Sequence, residues 1–445
     1  MKQKLLSKID LISELENGCK PITKWKIGTE HEKFAYDKKS LKPIQYEKIK
    51  LLFLSLTKDF SWEKVFENEK LIGLKKNGSS ITLEPGGQIE LSGAPVENLF
   101  QTCQQVNTHK NELKDVSDSL NIDYMGMGVL PKWNLSDIPI MPKKRYEIMR
   151  DHMKKVGTHG LDMMLRTCTI QANLDFDSES DMVKKMRVAL AIQPAIIALY
   201  ANSPFVEGKL TDFCSYRSMI WTKTDDKRCG FLPFVYDKGF SFESYVDYLL
   251  DVPMYFVKRN DAYINCAGES FKDFMNGKLP SFTGEFPTLI DWNDHMTVSF
   301  PEVRLKKFLE VRGADGGPWS SVCALPAFWT GILYDKNVLD EVWDLVKKWD
   351  LEQKQTFYLE VARNGLKSRC PENKDIKDLL KRLLDLSKSG LKKRKIIIDK
   401  KDESFFLEPL YKVLKSKKSP AEKWNELFLK KWNKDLDKIY EINFF

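Results

Sequence analysis

The chain has 445 residues, of which 42% are hydrophobic and 30% are charged, as in an ordinary soluble globular protein. Its eight cysteines are scattered without a Cys-x-x-Cys pair, which argues against a zinc ribbon or a secreted disulfide framework. The most apolar stretch, 188–201, contains Gln193 and Pro194 and is too short to span a bilayer, so we expect no membrane partner.

The net charge of +8 is unevenly distributed along the chain. Residues 351–445 contain 24 basic and 15 acidic side chains, whereas the preceding residues are nearly neutral. We interpret the basic run Lys392–Lys395 as a solvated helix face and expect no nucleic-acid partner, although a module that binds anions is the alternative.

The predicted elements alternate irregularly along the chain. After an amphipathic helix over 1–17, we expect strands over 22–36, 70–75, 79–92, 124–130, 163–175, 231–236 and 295–312. We expect helices over 95–120, 145–155, 179–201, 241–250, 270–277, 321–334, 336–348, 351–363, 374–389 and, with breaks, 402–440. Ser178 is placed to cap the start of the helix that follows it.

Several predicted strands carry polar residues on one face, which favours an antiparallel sheet with a ligand-facing side and an α+β fold. From about residue 335 onward the sequence predicts only helices. We therefore expect a sheet-plus-helices core over 1–335 and a helical C-terminal lobe over 336–445, packed together as one structural unit.

Acidic side chains recur at predicted strands. Glu30 and Glu32 alternate in IGTEHEKF, so both should project from one face of a strand. Glu84 and Glu90 flank a Gly-Gly turn, and Glu302 lies in a third such segment. Carboxylates from separate strands suit a hard cation such as Mg²⁺, although exposed strands also carry such pairs routinely.

A second polar face is predicted in the segment LRTCTIQANLD, which spans 165–175. Strand alternation places Thr169, Gln171, Asn173 and Asp175 on one side. These groups either face water or form the floor of a polar pocket, since burying them without partners would be unfavourable.

Four arginines stand near these segments: Arg145, Arg217, Arg304 and Arg312. Arginine grips carboxylates and phosphates with two parallel donors, but each of these residues alone also suits a structural salt bridge. The sequence contains no Walker A loop and no His-Glu-x-x-His motif, and its five histidines argue against a histidine-based metal site.

Taken in order, these motifs resemble glutamate–cysteine ligases of the plant and proteobacterial type. The resemblance is carried by IGTEHEKF (27–34), LEPGGQIELSGAP (83–95), PKWNLSDIPIMPKKRYEIM (131–149), GLDMMLRTCTIQANLDF (160–176), LAIQPAIIALYANSPFVEGK (190–209), SYRSMIWTKTD (215–225), YVDYLLDVPMYF (245–256) and FPEVRLKKFLEVRGADGGPW (300–319). It implies a curved, mostly antiparallel sheet that forms the active-site cavity, surrounded by helices.

The resemblance also implies a reaction. ATP would phosphorylate the γ-carboxylate of glutamate, and the amine of cysteine would displace the phosphate to give γ-glutamylcysteine, the first step of glutathione synthesis. Two or three Mg²⁺ ions would bring the anionic substrates together. The alternative is a related ligase that activates glutamate but uses a different amine.

Residue roles follow from the same resemblance. It implies metal ligation by Glu30, Glu32, Glu90, Gln171 and Glu302, with Glu84 as a weaker candidate. Catalytic roles fall on Arg217 and Arg304, and nucleotide binding on Arg304 and Arg312. Substrate binding falls on Arg145, Thr169, Arg217, Tyr255 and Phe300.

The resemblance further suggests that Cys103 and Cys323 form a redox-sensitive pair, with plain buried thiols as the alternative. Cys266 matches a second disulfide position, but its partner position is occupied by Ser281. We see no transit peptide before the first helix and therefore expect a cytoplasmic protein. We expect a monomer or a homodimer.

Overall fold

The computed structural model describes residues 5–442. Its strands, in chain order, are β1 (Ile27–Asp37), β2 (Glu63–Glu67), β3 (Lys70–Lys76), β4 (Ser79–Leu83), β5 (Ile89–Ser92), β6 (Ile122–Met125), β7 (Thr169–Leu174), β8 (Phe205–Val206), β9 (Lys209–Leu210), β10 (Cys229–Gly230), β11 (Phe256–Arg259), β12 (Ala262–Asn265), β13 (Phe300–Pro301), β14 (Val303–Leu305), β15 (Leu309–Asp315), β16 (Arg369–Cys370), β17 (Lys374–Asp375), β18 (Ile397–Ile398) and β19 (Lys401–Asp402).

The helices surround these strands. They are α1 (Lys8–Glu16), α2 (Tyr46–Phe60), α3 (Leu99–Ser117), α4 (Lys144–Met153), α5 (Gly160–Arg166), α6 (Glu179–Tyr200), α7 (Tyr216–Trp221), α8 (Phe242–Asp251), α9 (Phe271–Met275), α10 (Leu289–Met296), α11 (Trp319–Val322), α12 (Ala324–Leu333), α13 (Lys336–Val346), α14 (Leu351–Asn364), α15 (Ile376–Lys393), α16 (Glu408–Ser416) and α17 (Pro420–Lys430).

Nine strands form one antiparallel sheet in the order β14-β15-β7-β1-β5-β4-β3-β2, with β6 paired to the far end of β1. The long strand β1 lies between β7 and β5, so its alternating side chains occupy the middle of the sheet. The predicted α+β class and antiparallel sheet are confirmed. This central position brings the acidic residues of β1 beside those of its neighbours.

The back of the sheet packs on helix α6, whose C-terminal half is buried on all sides. Ser178 caps α6 as predicted, because its hydroxyl accepts a hydrogen bond from the backbone N–H of Asp181. Helices α13, α14 and α15 pack against α6 and α12, and side chains from both sides of residue 335 share one hydrophobic core. The division of the chain at residue 335 stays a prediction.

Several local predictions are wrong. The expected strand over 163–175 begins as helix α5, and the expected strand over 231–236 contains a 3₁₀ turn over Pro233–Tyr236. Helix α2, strand β2 and the β11–β12 hairpin were not predicted. The expected first helix over 1–17 is observed from Lys8, and its residues 1–4 lie outside the described part of the chain.

No helix between residues 5 and 442 is long and apolar enough to cross a membrane.

Candidate active site

Acidic side chains meet on one face of the central sheet. In the register of the antiparallel strands, Glu32 on β1 lies directly opposite Glu90 on β5. On the other side of β1, Glu30 lies opposite Gln171 on β7. Glu84, from the turn between β4 and β5, lines the same cavity, which has a volume of about 330 Å³. The structure therefore brings together residues that are far apart in the sequence.

These carboxylates are held in an unfavourable environment. Burial, followed by repulsion from Glu310 and Glu90, raises the pKa of Glu30 to about 7. Burial and repulsion from Glu84 likewise raise the pKa of Glu90 to about 7. Burial, with Glu90 and Glu84 as neighbours, also raises the pKa of Glu32. Ionising these neighbouring carboxyl groups together is therefore unfavourable in the folded protein.

Hydrogen bonds, but no ion pairs, support these four carboxylates. Within residues 5–442, none of Glu30, Glu32, Glu84 and Glu90 forms a salt bridge of 4.0 Å or less. Glu30 accepts a hydrogen bond of 2.6 Å from the Asn173 amide, and Glu90 accepts one of 2.6 Å from the Ser92 hydroxyl.

The donor set fits Mg²⁺ in chemistry, because it consists of carboxylate oxygens and of the Gln171 amide oxygen, which accepts a hydrogen bond of 2.9 Å from Arg312 Nη1. It is not a preformed centre: among the described side chains, no three acidic, histidine or cysteine groups already converge as ligands for one ion. Oxygens from a bound substrate would therefore have to complete any coordination shell, which is the usual arrangement for Mg²⁺ in sites that bind phosphate.

A neighbouring wall of the cavity is cationic. It is formed by Arg304, Lys306 and Arg312 from β14, β15 and the turn between them. All three surround the carboxylate of Glu310, to which Arg304 Nε donates at 2.5 Å and Arg312 Nη1 at 3.2 Å. Burial would raise the pKa of Glu310, but Arg304, Lys306 and Arg312 together hold it well below its usual range. Glu310 therefore remains ionised and fixes the arginines in place.

A third part of the cavity mixes basic and apolar groups. Arg145 and Phe300 line it, as do Lys143, Tyr146, Met149, Met163, Met164 and Trp221. Arg145 stacks over the rings of Phe256 and Tyr146 at 5.4 and 6.0 Å. This region offers a cation surrounded by side chains that exclude water.

The sequence as a whole matches one family model, "Glutamate-cysteine ligase family 2", over residues 26–441. The chain belongs to the glutamate–cysteine ligase family. The chloroplastic glutamate–cysteine ligase of tomato (Solanum lycopersicum) is 52% identical over 436 residues, which cover 98% of this chain and 82% of the relative. The rice (Oryza sativa subsp. japonica) chloroplastic glutamate–cysteine ligase B is also 52% identical, with 98% and 87% coverage.

A solved structure supports the fold. The crystal structure of glutamate–cysteine ligase from Francisella tularensis in complex with AMP superposes with a TM-score of 0.57, covering 94% of this chain and 87% of that chain at 14% identity. As a glutamate–cysteine ligase, the protein is an enzyme of the family that forms γ-glutamylcysteine, the first step of glutathione synthesis.

The expected cytoplasmic location is wrong. The curated ligases from tomato, tobacco, rice and Arabidopsis that this chain resembles are chloroplastic enzymes.

Within this ligase, Arg217 and Thr169 do not line the cavity as it stands. They hold an irregularity in β15, where the register against β7 shifts between Val311 and Ala314. Arg217 donates to the carbonyls of Arg312 and Gly313 at 3.1 and 3.3 Å, and the Thr169 hydroxyl lies within hydrogen-bond distance of those of Arg312 and Ala314, at 2.9 and 2.7 Å. The backbone N–H of Thr169 also donates to Glu32 at 3.0 Å.

Glu302 is not where the sequence placed it. We expected a continuous strand over 295–312, in which alternation would place Glu302 on the same face as Arg304, but a bend at Glu302 separates β13 from β14 and breaks the alternation. Glu302 is not among the residues that line the cavity: its Oε1 accepts a hydrogen bond of 2.8 Å from the hydroxyl of Tyr358 on α14, and its Oε2 is buried without a hydrogen-bond partner among residues 5–442. It therefore does not join the other acidic residues.

Tyr255 also lies outside the cavity lining. It is 1% exposed and packs between the guanidinium of Arg228, 4.0 Å above its ring, and the edge of His152. Arg228 is held in turn by Asp225, with Nε–Oδ2 at 2.6 Å.

The two sulfur atoms of Cys103 and Cys323 are 2.7 Å apart, and both thiols are free. Ser281 lies beside Cys266, at the position that the resemblance assigns to its missing partner.

Three charged residues of the cavity were not predicted: Glu310, Lys306 and Lys143. Strand alternation could have revealed Glu310. In β15 it stands two residues before Arg312, so both side chains should point to the same face, while Leu309 and Val311 point to the other. Lys306 lies in a turn, where no periodicity indicates the direction of a side chain.

Proposed function

We propose that this enzyme uses ATP and Mg²⁺ to join the γ-carboxylate of glutamate to the amine of cysteine through γ-glutamyl phosphate. The observation that carries the proposal is a single cavity that brings four carboxylates, none of them in an ion pair within residues 5–442, close to a cluster of three cations. A cavity of this kind suits a reaction in which a polyanion must approach an anion.

Glu30, Glu32, Glu90 and Gln171 would hold the Mg²⁺ ions, with Glu84 at the margin of the set. We do not include Glu302, because it is not among the residues that line the cavity. Bound Mg²⁺ would supply positive charge that screens ATP from glutamate and stabilises charge on the transferred phosphoryl group.

Arg304 and Arg312 provide the permanent positive charge on the phosphate side. Arg304 is fixed through Nη1 by the carbonyls of Thr297 and Ser299, at 3.1 and 2.9 Å. Because Glu310 and these carbonyls orient the guanidinium groups before substrate arrives, little reorganisation is needed when charge moves during phosphoryl transfer.

Arg145 and Phe300 would form the amino-acid side of the cavity, together with its methionines and Trp221. A guanidinium here suits an amino-acid carboxylate, since arginine can donate two parallel hydrogen bonds to it. The apolar walls would keep water away from the acyl phosphate, which water would otherwise hydrolyse.

A second layer, behind the residues that line the cavity, consists of Arg217, Thr169 and Tyr255. Arg217 and Thr169 would set the course of β15 and thereby aim Arg312 into the cavity. Tyr255 would support the wall behind Phe300. These are positioning roles in the unliganded enzyme, and contact with bound substrate would require a local movement.

The proposed reaction has two steps. The γ-carboxylate oxygen attacks the terminal phosphorus of ATP and the bond to the bridging oxygen breaks, releasing ADP. The cysteine amine then attacks the acyl carbon, phosphate leaves, and one proton is lost from nitrogen.

The test is an assay of ADP release with Mg-ATP and glutamate, to which cysteine or other amino acids are added singly. We expect turnover that depends on both glutamate and cysteine, with γ-glutamylcysteine as the product. Equal or greater turnover with another amine would replace this proposal with the related ligase, and absence of ADP release with any amine would end it.

A further inference from the structure

The cations of the cavity differ in how far the protein already occupies their donors. Arg304 donates to Glu310, Thr297 and Ser299, and Arg312 donates to Gln171 and Glu310. These arginines present fixed charge, but several of their donors already have partners within the protein. Any residue that grips a moving phosphoryl group needs free donors as well as charge.

Lys306 is different. It lies in the turn between β14 and β15, and its side chain is 24% exposed. Its ammonium group is 3.5 Å from Glu310 Oε1, the long limit for a hydrogen bond, and lies 5.3 Å from the ring centre of Phe308. Among the contacts of residues 5–442, this is its closest ion pair, so its donors remain largely available.

The position of Lys306 connects the two walls. It lines the same cavity as Glu30, which belongs to the acidic wall. Glu310 is already neutralised by two arginines at shorter distances, so the charge of Lys306 is in excess on the cationic wall.

We propose that Lys306 is a further catalytic residue, which binds the terminal phosphoryl oxygens of ATP and follows that phosphoryl group to the glutamate carboxylate. This inference rests on the proposed function and names one of its phosphate-binding groups. A lysine suits the role because its ammonium is a compact charge on a flexible stem, whereas arginine favours planar carboxylates.

The experiment compares Lys306→Met with Lys307→Met. Lys307 is the next residue, but it points away from the cavity and pairs with Glu14 at 2.8 Å, so it is a matched control. AMP, ADP and ATP are titrated calorimetrically into each protein in the presence of Mg²⁺, and kcat and KM are then measured for all three substrates.

For Lys306→Met we expect the ratio of ATP to AMP affinity to fall by about 10- to 100-fold, the equivalent of one lost charge-assisted hydrogen bond. AMP affinity and the KM for cysteine should stay unchanged, and kcat should fall. Lys306→Arg should recover part of the ratio, and Lys307→Met should match the wild type.

The proposal is overturned if Lys306→Met keeps the wild-type ATP to AMP ratio, or if only its KM for glutamate rises, which would assign Lys306 to a substrate carboxylate. If circular dichroism shows that Lys306→Met is unfolded, the ratio of ATP to AMP affinity is measured with Lys306→Gln in its place. Failure of the proposed function is a separate result, because it would appear as no cysteine-dependent ADP release by the wild-type enzyme.

Discussion

At the scale of single residues, the central feature is the direct opposition of Glu32 and Glu90 across two strands. Like charges facing each other across a sheet destabilise it, by roughly 0.2–1 kcal/mol for an exposed pair. Here burial adds to the repulsion, and both pKa values rise. A fold that keeps such a pair at the centre of its main sheet is less stable without ligand, and we infer that the pair is kept because it binds cations.

Replacing Glu32 by Gln should therefore separate stability from activity. We expect the protein without metal to unfold at a higher temperature than the wild type, because a repulsive buried charge is removed. Activity should fall by about 100- to 1000-fold, by analogy with the loss of one preorganised electrostatic group. Thermal unfolding and steady-state kinetics measure the two effects.

Glu302→Gln is the control for this prediction. Its carboxylate is buried against Tyr358, and Glu302 is not among the residues that line the cavity, so the substitution should leave Mg²⁺ dependence unchanged. If Glu302→Gln lost Mg²⁺ dependence while Glu32→Gln kept it, the assignment of the acidic wall would be wrong.

The acidic wall was partly predictable from the sequence: strand alternation places Glu30 and Glu32 on one face and Gln171 on a second polar face. The metal-binding role of these residues and of Glu90 was implied by the resemblance to the ligase family. The position of Glu302 was not predictable, because alternation fails where a chain bends, and Pro301 lacks the N–H that a continuous ladder would use. Side chains such as Lys306 in turns have no periodicity at all, so only the folded chain reveals where they point.

At the scale of elements, the irregularity in β15 determines how the cationic wall is built. Its register against β7 shifts between Val311 and Ala314, and Arg217 and Thr169 bind the carbonyls exposed there. Bulges commonly re-aim a side chain beside an active site. Here the shift includes Arg312, the arginine that reaches Gln171 and Glu310.

Gly313 is the residue that makes this arrangement possible. A Cβ at position 313 would overlap Glu302 Oε2 and Gln193 Nε2. We expect Gly313→Ala to destabilise the protein by about 1–3 kcal/mol, the usual cost of overpacking, and to lower kcat through Arg312. Gly239→Ala, at a position with open space, is the control. Equal stability of the two variants in chemical denaturation would contradict this account.

The pair Cys103 and Cys323 links α3 to the short loop between α11 and α12. If these thiols form a redox-sensitive pair, a mild oxidant should change the activity of the wild type and leave Cys103→Ser unaffected. The comparison is made by assaying both proteins before and after oxidation and again after reduction. Activity that ignores oxidant in both proteins would leave them as plain buried thiols.

Element prediction failed in identifiable places. Helix α2 has apolar residues at helical spacing, at Ile49, Leu52, Phe53 and Leu56, and was missed although the signal is present. The segment from Gly160 to Leu174 changes from helix to strand within two residues. The spacing of apolar residues in the sequence cannot reveal where a helix gives way to a strand over so short a distance, because tertiary packing determines the boundary.

At the scale of the whole molecule, the sheet supplies the site and the helices supply stability. One core cluster runs from α1 through α6 to α16, so the C-terminal helices stabilise the strands that carry the cavity. Both the α+β class and the antiparallel sheet could be predicted, since polar residues recur on one face of several strands. The strand order could not, because sequence alternation does not specify which strands are neighbours.

Buried histidines should make the fold sensitive to acid. His295 is 5% exposed and stacks on Phe271. Burial lowers the pKa of its imidazole from 6.5 to about 4. The hydrogen bond to the Leu249 carbonyl opposes this shift, and the positive charge of Arg228 adds to it. The unfolded chain binds this proton below pH 6.5 and the folded chain does not until about pH 4. Stability contributed by neutral His295 is therefore complete above pH 6.5 and is lost as the pH falls through this window.

Denaturant unfolding of the wild type and His295→Gln across this pH window tests the point. The free energy of unfolding of the wild type should fall more steeply on acidification, by up to about 1.4 kcal/mol per pH unit relative to the variant. Parallel curves for the two proteins would show that His295 is not the group responsible.

The central claim is that the acidic wall is stable in the working enzyme because divalent ions bind there. It is tested most directly by calorimetric titration of Mg²⁺ into the enzyme saturated with a non-hydrolysable ATP analogue, alongside the same titration into the analogue without enzyme. Because two or three Mg²⁺ ions are expected in the site and the free analogue binds about one, we predict that the wild-type complex binds about one or two ions more than the free analogue does. A variant carrying both Glu32→Gln and Glu90→Gln should lose this additional binding. Identical Mg²⁺ binding by the wild type and the double variant would contradict the claim.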